Sequence, residues 1–162
     1  MAATGLSMGT LALLTLLAAT DAHAQTFYGY TVLGEGASSN QFASGPMGPT
    51  VAGGADVLIA RRFGIEGEVG LDQFYYPTVS LDGVVQLQRR AVSRLVPFVR
   101  AGFTHTKGEY SVTYNGPNVG GGLILWLSPR AGLRAEYLHV VQSTIGNWTE
   151  NHDLIRVGVS FR

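Results

Sequence analysis

Six charged residues stand at spacings that could serve chemistry in this 162-residue chain. They are Glu66, Glu68, Arg100, Arg134, Glu136 and Arg156. Side chains two residues apart on a β-strand lie on the same face, so Glu66 with Glu68 and Arg134 with Glu136 would each form a same-face pair. Guanidinium and carboxylate groups form strong, often bidentate, ion pairs. The spacing therefore predicts an Arg–carboxylate network in which opposite charges hold neighbouring strands together.

Composition excludes several other kinds of chemistry. The chain has 11 basic and 11 acidic residues, which gives no electrostatic case for binding nucleic acid. Cysteine is absent, so disulfides, thiol catalysis and cysteine-ligated metals are excluded. Gly120-Gly121-Gly122 lies within a strand pattern and does not precede a helix, so it is not a phosphate-binding motif. We predict no cofactor.

The N-terminus has the features of an export signal. Leu11 to Ala19 is an apolar run that is too short to span a membrane, and Ala22-His23-Ala24 matches the small-x-small pattern before a cleavage site. No Lys or Arg precedes the apolar run. We predict a signal peptide over residues 1–24 and one mature domain over residues 25–162.

A period of two recurs along that domain and indicates eight β-strands. They are predicted at Phe27–Gly36, Thr50–Ala60, Gly64–Phe74, Val79–Gln88, Leu95–Thr106, Asn118–Leu127, Leu133–Val141 and Leu154–Phe161. Connections alternate between short and long, beginning with a long one after Gly36, and strands near ten residues long can cross a bilayer at a tilt. This predicts an all-β, closed, up-and-down antiparallel transmembrane β-barrel with its long loops at one end.

One face of these strands is aliphatic, and the other carries both charges and glycines. The polar face holds the six charged residues, Asp56 and Asp72, together with Gly54, Gly70, Gly102, Gly120, Gly122 and Gly158. Periodicity allows either a barrel lumen or the wet outside of a soluble barrel. Glycine weakens a strand open to water but makes room in a narrow bore, which favours the lumen. Charges in such a lumen must be paired.

Several stretches resemble the outer-membrane-protein β-barrel domain family, which includes small OmpA-like and OmpX-like eight-stranded barrels. They are the hairpin from Gly120 to Tyr137 and the segments Phe63–Gly70, Pro97–Phe103 and Arg156–Phe161. The resemblance implies a structural or surface role in the outer membrane and assigns no reaction. We predict a monomer in outer-membrane lipid. Such barrels usually end in an aromatic residue that the barrel-assembly machinery reads, whereas here Arg162 follows Phe161.

The sequence can also be compared with what a lipid-modifying enzyme, a metal site and a soluble binding barrel would need. A barrel that deacylates lipid A would show a His-x-Ser pair, but His139 is followed by Val140-Val141 and His105 by Thr106-Lys107. The same histidines, with His152 and Glu150, are too scattered to predict a metal site. A secreted, lipocalin-like barrel would instead turn Leu123, Leu125, Val157 and Val159 inward around an apolar ligand. The leading prediction is a small non-enzymatic barrel with a plugged lumen, whose long loops could meet a surface ligand.

Overall fold

The computed structural model describes residues 26–40, 44–59, 62–73, 75–87, 94–108, 113–143 and 149–162. The predicted signal peptide lies outside these residues. Nine strands are present within them: β1 (Thr26–Asn40), β2 (Ser44–Pro46), β3 (Thr50–Leu58), β4 (Phe63–Asp72), β5 (Tyr76–Gln86), β6 (Leu95–Lys107), β7 (Thr113–Trp126), β8 (Ala131–Ser143) and β9 (Thr149–Phe161). No helix in the described part of the chain is long and apolar enough to cross a membrane.

Eight of the strands close into one antiparallel barrel. Each long strand pairs with its neighbour in the order β1, β3, β4 to β9, and β9 returns to β1 with Gly29 opposite Phe161 and Asn40 opposite Glu150. Closure satisfies the backbone hydrogen bonds of both edge strands, which a sheet in lipid requires. The predicted closed antiparallel barrel is confirmed.

Two details of the predicted layout are wrong. Residues Ser44–Pro46 form a ninth strand that folds back on the end of β1, where only a loop was predicted. The connection predicted to be long after Phe74 is a tight turn: β4 ends at Asp72, β5 begins at Tyr76 and Gln73 takes a positive φ of 54°. The segment from Lys107 to Pro117, for which the sequence allows either a loop or a flared hairpin extension, is a hairpin in its described part, because β6 ends at Lys107 and β7 begins at Thr113.

The alternation of faces is as predicted from periodicity. Even-numbered residues point into the barrel and odd-numbered ones point out, in all eight long strands. Leu123, Leu125, Val157 and Val159 are 40–60% exposed on the outside, so they cannot surround a ligand in the lumen as the lipocalin-like alternative required. The outside is an aliphatic band that would be costly in water and suits lipid.

Glycines in the lumen make room for large polar side chains. A Cβ added to Gly54 on β3 would lie 2.5 Å from the hydroxyl oxygen and 2.6 Å from Cζ of Tyr30. Gly102 on β6 is likewise overlaid by the Asp82 carboxylate. Gly67, which faces outward on β4, has nothing within 4 Å of such a Cβ. The inward glycines are therefore a packing requirement of the lumen.

This difference predicts opposite outcomes for two matched substitutions. Gly54→Ala should lower the free energy of unfolding by about 1–3 kcal/mol, because Tyr30 must move to admit the methyl group. Gly67→Ala should be neutral or stabilise by up to about 1 kcal/mol, because it restricts the unfolded chain without a clash. Urea unfolding of the two variants in the same detergent gives the comparison; equal effects would contradict a tightly packed lumen.

Candidate functional site

Arg100 on β6 is the centre of a buried ion network halfway along the lumen. Its guanidinium contacts the carboxylates of Glu66 and Asp82 closely and lies 3.2 Å from Glu68 Oε2 and 3.8 Å from Glu136 Oε1. Its side chain has no exposed surface. One guanidinium thus joins β4, β5, β6 and β8 across the bore.

Arg134 on β8 forms a second node that also uses aromatic rings. Its Nε donates to Glu136 at 2.7 Å and its Nη2 to Glu66 at 2.9 Å, while Nη1 lies 3.5 Å from Asp56 Oδ2. The guanidinium carbon also stands 3.8 Å from the ring centroid of Tyr30, a cation–π distance. Arg134 therefore bridges β8 to β1, β3 and β4.

Arg156 on β9 completes the network near the barrel seam. Its two terminal nitrogens donate to the two oxygens of Glu68 at 2.8 and 2.9 Å, and Nη2 also contacts Glu136. The Tyr30 hydroxyl lies 2.8 Å from Glu66 Oε1 and 2.7 Å from Glu68 Oε2. The bidentate geometry fixes β9 against β4 across the lumen.

The structure places all six residues of the predicted network in contact, and it adds three that the network prediction left out. Asp56 was assigned to the polar face but not to the network. Asp82 and Tyr30 were missed altogether. Asp82 could have been found, because it lies four residues from Gln86 on the same strand and so shares its polar face. Tyr30 could not, because large residues occur at successive positions of β1 and do not show which of its faces points inward.

Carboxylates outnumber guanidiniums in this network. Five buried acids, Asp56, Glu66, Glu68, Asp82 and Glu136, surround three buried arginines, so the formal charge is 3 − 5 = −2.

An apolar layer fills the lumen at the end where the β3–β4 and β7–β8 turns lie. Its buried side chains are Tyr28, Leu58, Val84, Val96, Phe98, Ile124 and Trp126. The ring centroids of Tyr28 and Trp126 lie 5.6 Å apart with the rings tilted by 37°, and the guanidinium carbon of Arg162 lies 3.9 Å from the Trp126 ring centroid. Two layers of different chemistry therefore occupy the bore in series.

At the opposite end the lumen widens into a small polar cup of about 250 Å³. Its lining includes Asp72, Glu150, His152, Tyr76 and Tyr114. His152 is 9% exposed, and its Nε2 lies 3.6 Å from Glu150 Oε1. The described residues contain no group of three or more His, Cys, Asp or Glu side chains able to hold a metal ion. The carboxylates and aromatic rings of the cup suit a small organic cation.

No protein-family model and no curated protein matches this sequence significantly. Solved structures do match. Neisserial surface protein A has 13% identity and a TM-score of 0.70, with 86% of this chain and 99% of that chain covered. OprG from Pseudomonas aeruginosa has 10% identity and a TM-score of 0.59, covering 85% and 95%. Ail, the attachment invasion locus protein of Yersinia pestis, has 11% identity and a TM-score of 0.52, covering 83% and 98%.

These likenesses show the fold. Together with the outward aliphatic band and the filled polar lumen, they define the chain as a transmembrane β-barrel of the small eight-stranded outer-membrane type. The predicted resemblance to OmpA-like and OmpX-like barrels is confirmed at the level of fold, and the matched part of this chain spans 95–99% of the length of those three barrels.

The ion network predicts that a substitution in the lumen destabilises the barrel more than a substitution on its outer surface. Arg134→Ala should cost about 3–5 kcal/mol, because it leaves Asp56 buried without a guanidinium partner and removes one of the partners of Glu66 and of Glu136. Val157→Ala, on the outside, should cost far less, because lipid or detergent replaces the lost contacts. Urea unfolding of both variants tests this order, and a milder effect of Arg134→Ala would mean that the charges face water.

Proposed function

We propose that this protein is a non-enzymatic outer-membrane barrel whose lumen is closed and whose role is structural or at the cell surface. The observation that carries the proposal is the pair of filled layers in the bore. Ion pairs occupy its middle, and aromatic and aliphatic side chains occupy one end. Neither layer leaves a nucleophile beside a base, so the lumen holds strands together rather than acting on a substrate.

If the lumen is closed in this way, both the ion network and the apolar layer must open before a solute can pass. The Arg100 and Glu66 side chains are fully buried, and Val96 and Ile124 in the apolar layer are each 1% exposed. Separating an ion pair in a dry bore leaves uncompensated charges, and the apolar layer offers water no hydrogen bonds. The two barriers act in series, so disrupting one leaves the other in place.

The surface part of the proposal rests on the loop end. The polar cup there is lined by the carboxylates of Asp72 and Glu150, which would favour a cationic group on a partner. Neisserial surface protein A and the attachment invasion locus protein are named for surface roles, which is in keeping with such a function. We also propose that the chain is a monomer that the barrel-assembly machinery inserts.

The alternative of a lipid-modifying enzyme has one supporting contact. His139 Nδ1 lies 2.8 Å from Asp153 Oδ1 on the outer face, which is the orientation that a catalytic histidine needs. The residue opposite His139 on β7 is Val119, however, and Asp153 also accepts a hydrogen bond from Tyr137. Among the described residues, the pair therefore has no serine beside it to activate.

Conductance tests the closed lumen. The wild-type barrel in planar bilayers should show no current above that of the bare membrane, because both layers block the bore. Arg100→Ala combined with Trp126→Ala removes a large side chain from each layer and should admit small cations. The outward pair Phe103→Ala and Leu123→Ala is the matched control and should stay silent. A steady wild-type current would contradict closure.

Lipid analysis tests the absence of catalysis. Lipid A extracted from cells with the gene, without it, and with the His139→Ala variant should have identical mass spectra. A mass difference that appears with the wild-type gene and disappears with His139→Ala would establish the enzyme alternative instead.

A further inference from the structure

The polar cup contains negative charge that no arginine or lysine of the described residues neutralises. Asp72 on β4 and Glu150 on β9 both line it. Among the described residues, neither carboxylate lies within ion-pair distance of a lysine or arginine, and Glu150 has only His152 nearby. Every acid of the lumen network, in contrast, contacts at least one arginine. The two acids of the cup therefore differ from the other inward acids in having no guanidinium partner.

The rest of the loop end does not offer a basic residue for this role. The connecting segments at that end that lie outside the described residues are 41–43, 74, 109–112 and 144–148, and their sequences contain no Lys, Arg or His. Lys107 is exposed at the end of β6, on the outward side of that strand between the inward positions Thr106 and Gly108. A positive charge that balances the cup would therefore come from a bound group.

A buried nitrogen in the cup also lacks a partner. His152 lines the cup and is 9% exposed, and its Nε2 makes no hydrogen bond with the described residues. This nitrogen faces Glu150, whose Oε1 is 3.6 Å away and thus too far for a hydrogen bond. In a neutral imidazole with its proton on Nδ1, Nε2 is an acceptor. A donor bound between these two atoms would satisfy both.

The remaining wall of the cup indicates an organic cation. It includes the rings of Tyr76 and Tyr114 and the side chain of Met47. The ring of Tyr76 packs edge-on against that of Tyr75, with centroids 5.2 Å apart, and the backbone N of Met47 donates to the Gly36 carbonyl oxygen at 2.8 Å. Aromatic faces attract cations, and the apolar wall can contact the methylene groups of an alkyl chain.

The acceptors favour a primary ammonium group. A primary ammonium donates three hydrogen bonds, as the lysine side chain does, and the cup offers the carboxylates of Asp72 and Glu150 and the Nε2 of His152. A quaternary ammonium has no N–H and would leave all three without a hydrogen bond. The volume of about 250 Å³ has room for an ammonium head group and a short alkyl chain but not for a folded domain.

We propose that the polar cup binds a primary ammonium group on an alkyl chain, with Asp72 and Glu150 as its charged acceptors and His152 as its neutral one. The group belongs either to a free aliphatic amine or to a lysine side chain of a partner. The inference rests on the proposed surface role, which puts the cup at the outward end. Its test is separate from conductance: a current through the wild-type barrel would contradict closure alone, and failure to bind an amine would leave the closed barrel in place.

Titration followed by NMR chemical shifts of backbone amides tests the proposal. The folded barrel is placed in phosphatidylcholine nanodiscs, whose headgroup has no primary amine, and in phosphate buffer, because Tris is itself a primary amine. We expect n-butylammonium chloride to shift the amides of Asp72, Glu150 and His152 saturably. At matched ionic strength, tetramethylammonium should bind with a dissociation constant at least about tenfold higher, because it forms no hydrogen bonds.

Nα-acetyl-lysine methylamide distinguishes the two sources of the ammonium group. Binding equal to that of n-butylammonium would support a lysine side chain of a partner as the ligand. Weaker binding, with n-butylammonium unaffected, would support a free aliphatic amine.

Variants assign the acceptors. Glu150→Gln and Asp72→Asn should each raise the dissociation constant of n-butylammonium about tenfold, because each removes a charge-assisted hydrogen bond. His152→Leu should raise it severalfold. Glu35→Gln removes an exposed outward carboxylate near the same end of the barrel, so it is the matched control and should change nothing. If a variant does not fold, the comparison of the two ammonium salts on the wild-type barrel still decides.

Three results would overturn the proposal. Shifts that grow linearly with n-butylammonium and never saturate would mean that the cup is not a site. Binding of tetramethylammonium as tight as that of n-butylammonium would mean recognition by the aromatic rings without the three acceptors. Equal weakening by Glu35→Gln and Glu150→Gln would mean a general effect of surface charge.

Discussion

The structure depends on the pairing of charges in a space from which water is excluded. Three guanidiniums and five carboxylates share the middle of the bore, and each arginine reaches carboxylates on at least two other strands. A buried charge without a partner would cost several kcal/mol, so the network tolerates only arrangements in which all strands are in place. In this barrel the ion pairs supply the specific long-range contacts that an aliphatic core supplies in a soluble protein.

Pairing in turn requires room, and the glycines provide it. Tyr30 and the arginines are large for a bore of eight strands, and each of them lies opposite a glycine on one of its two neighbouring strands. Gly54, Gly120, Gly158 and Gly34 stand opposite Tyr30, Arg100, Arg134 and Arg156 in that order. The exchange of large and small residues across the lumen is a packing solution in the same sense as in any protein interior. It links strand composition directly to the charge network, because filling a glycine position displaces the groups that neutralise an arginine.

The outside follows a different rule, since lipid replaces packing partners at little cost. The aliphatic residues on the outside need only form an unbroken band about as tall as the hydrocarbon layer of the membrane. The exceptions include Tyr137 and His139 on β8, which both lie within hydrogen-bond distance of Asp153 on β9. Packing and ion pairing therefore constrain the residues of the lumen, whereas contact with lipid constrains the residues of the outer surface.

The sequence by itself determined the fold class and the facing of nearly every strand. Side-chain direction follows from a local period of two, so Glu66, Glu68, Arg100, Arg134, Glu136 and Arg156 could be assigned to one face without a structure. Strand ends were less predictable: the turn at Gln73 and the pairing of Ser44–Pro46 with β1 depend on contacts between strands, which no local pattern encodes. Only the tertiary structure decided that Arg100 meets Asp82, that Arg134 stacks on Tyr30 and that Asp56 joins the network. These contacts form between residues far apart in sequence, and which of them meet is set by barrel closure and strand stagger.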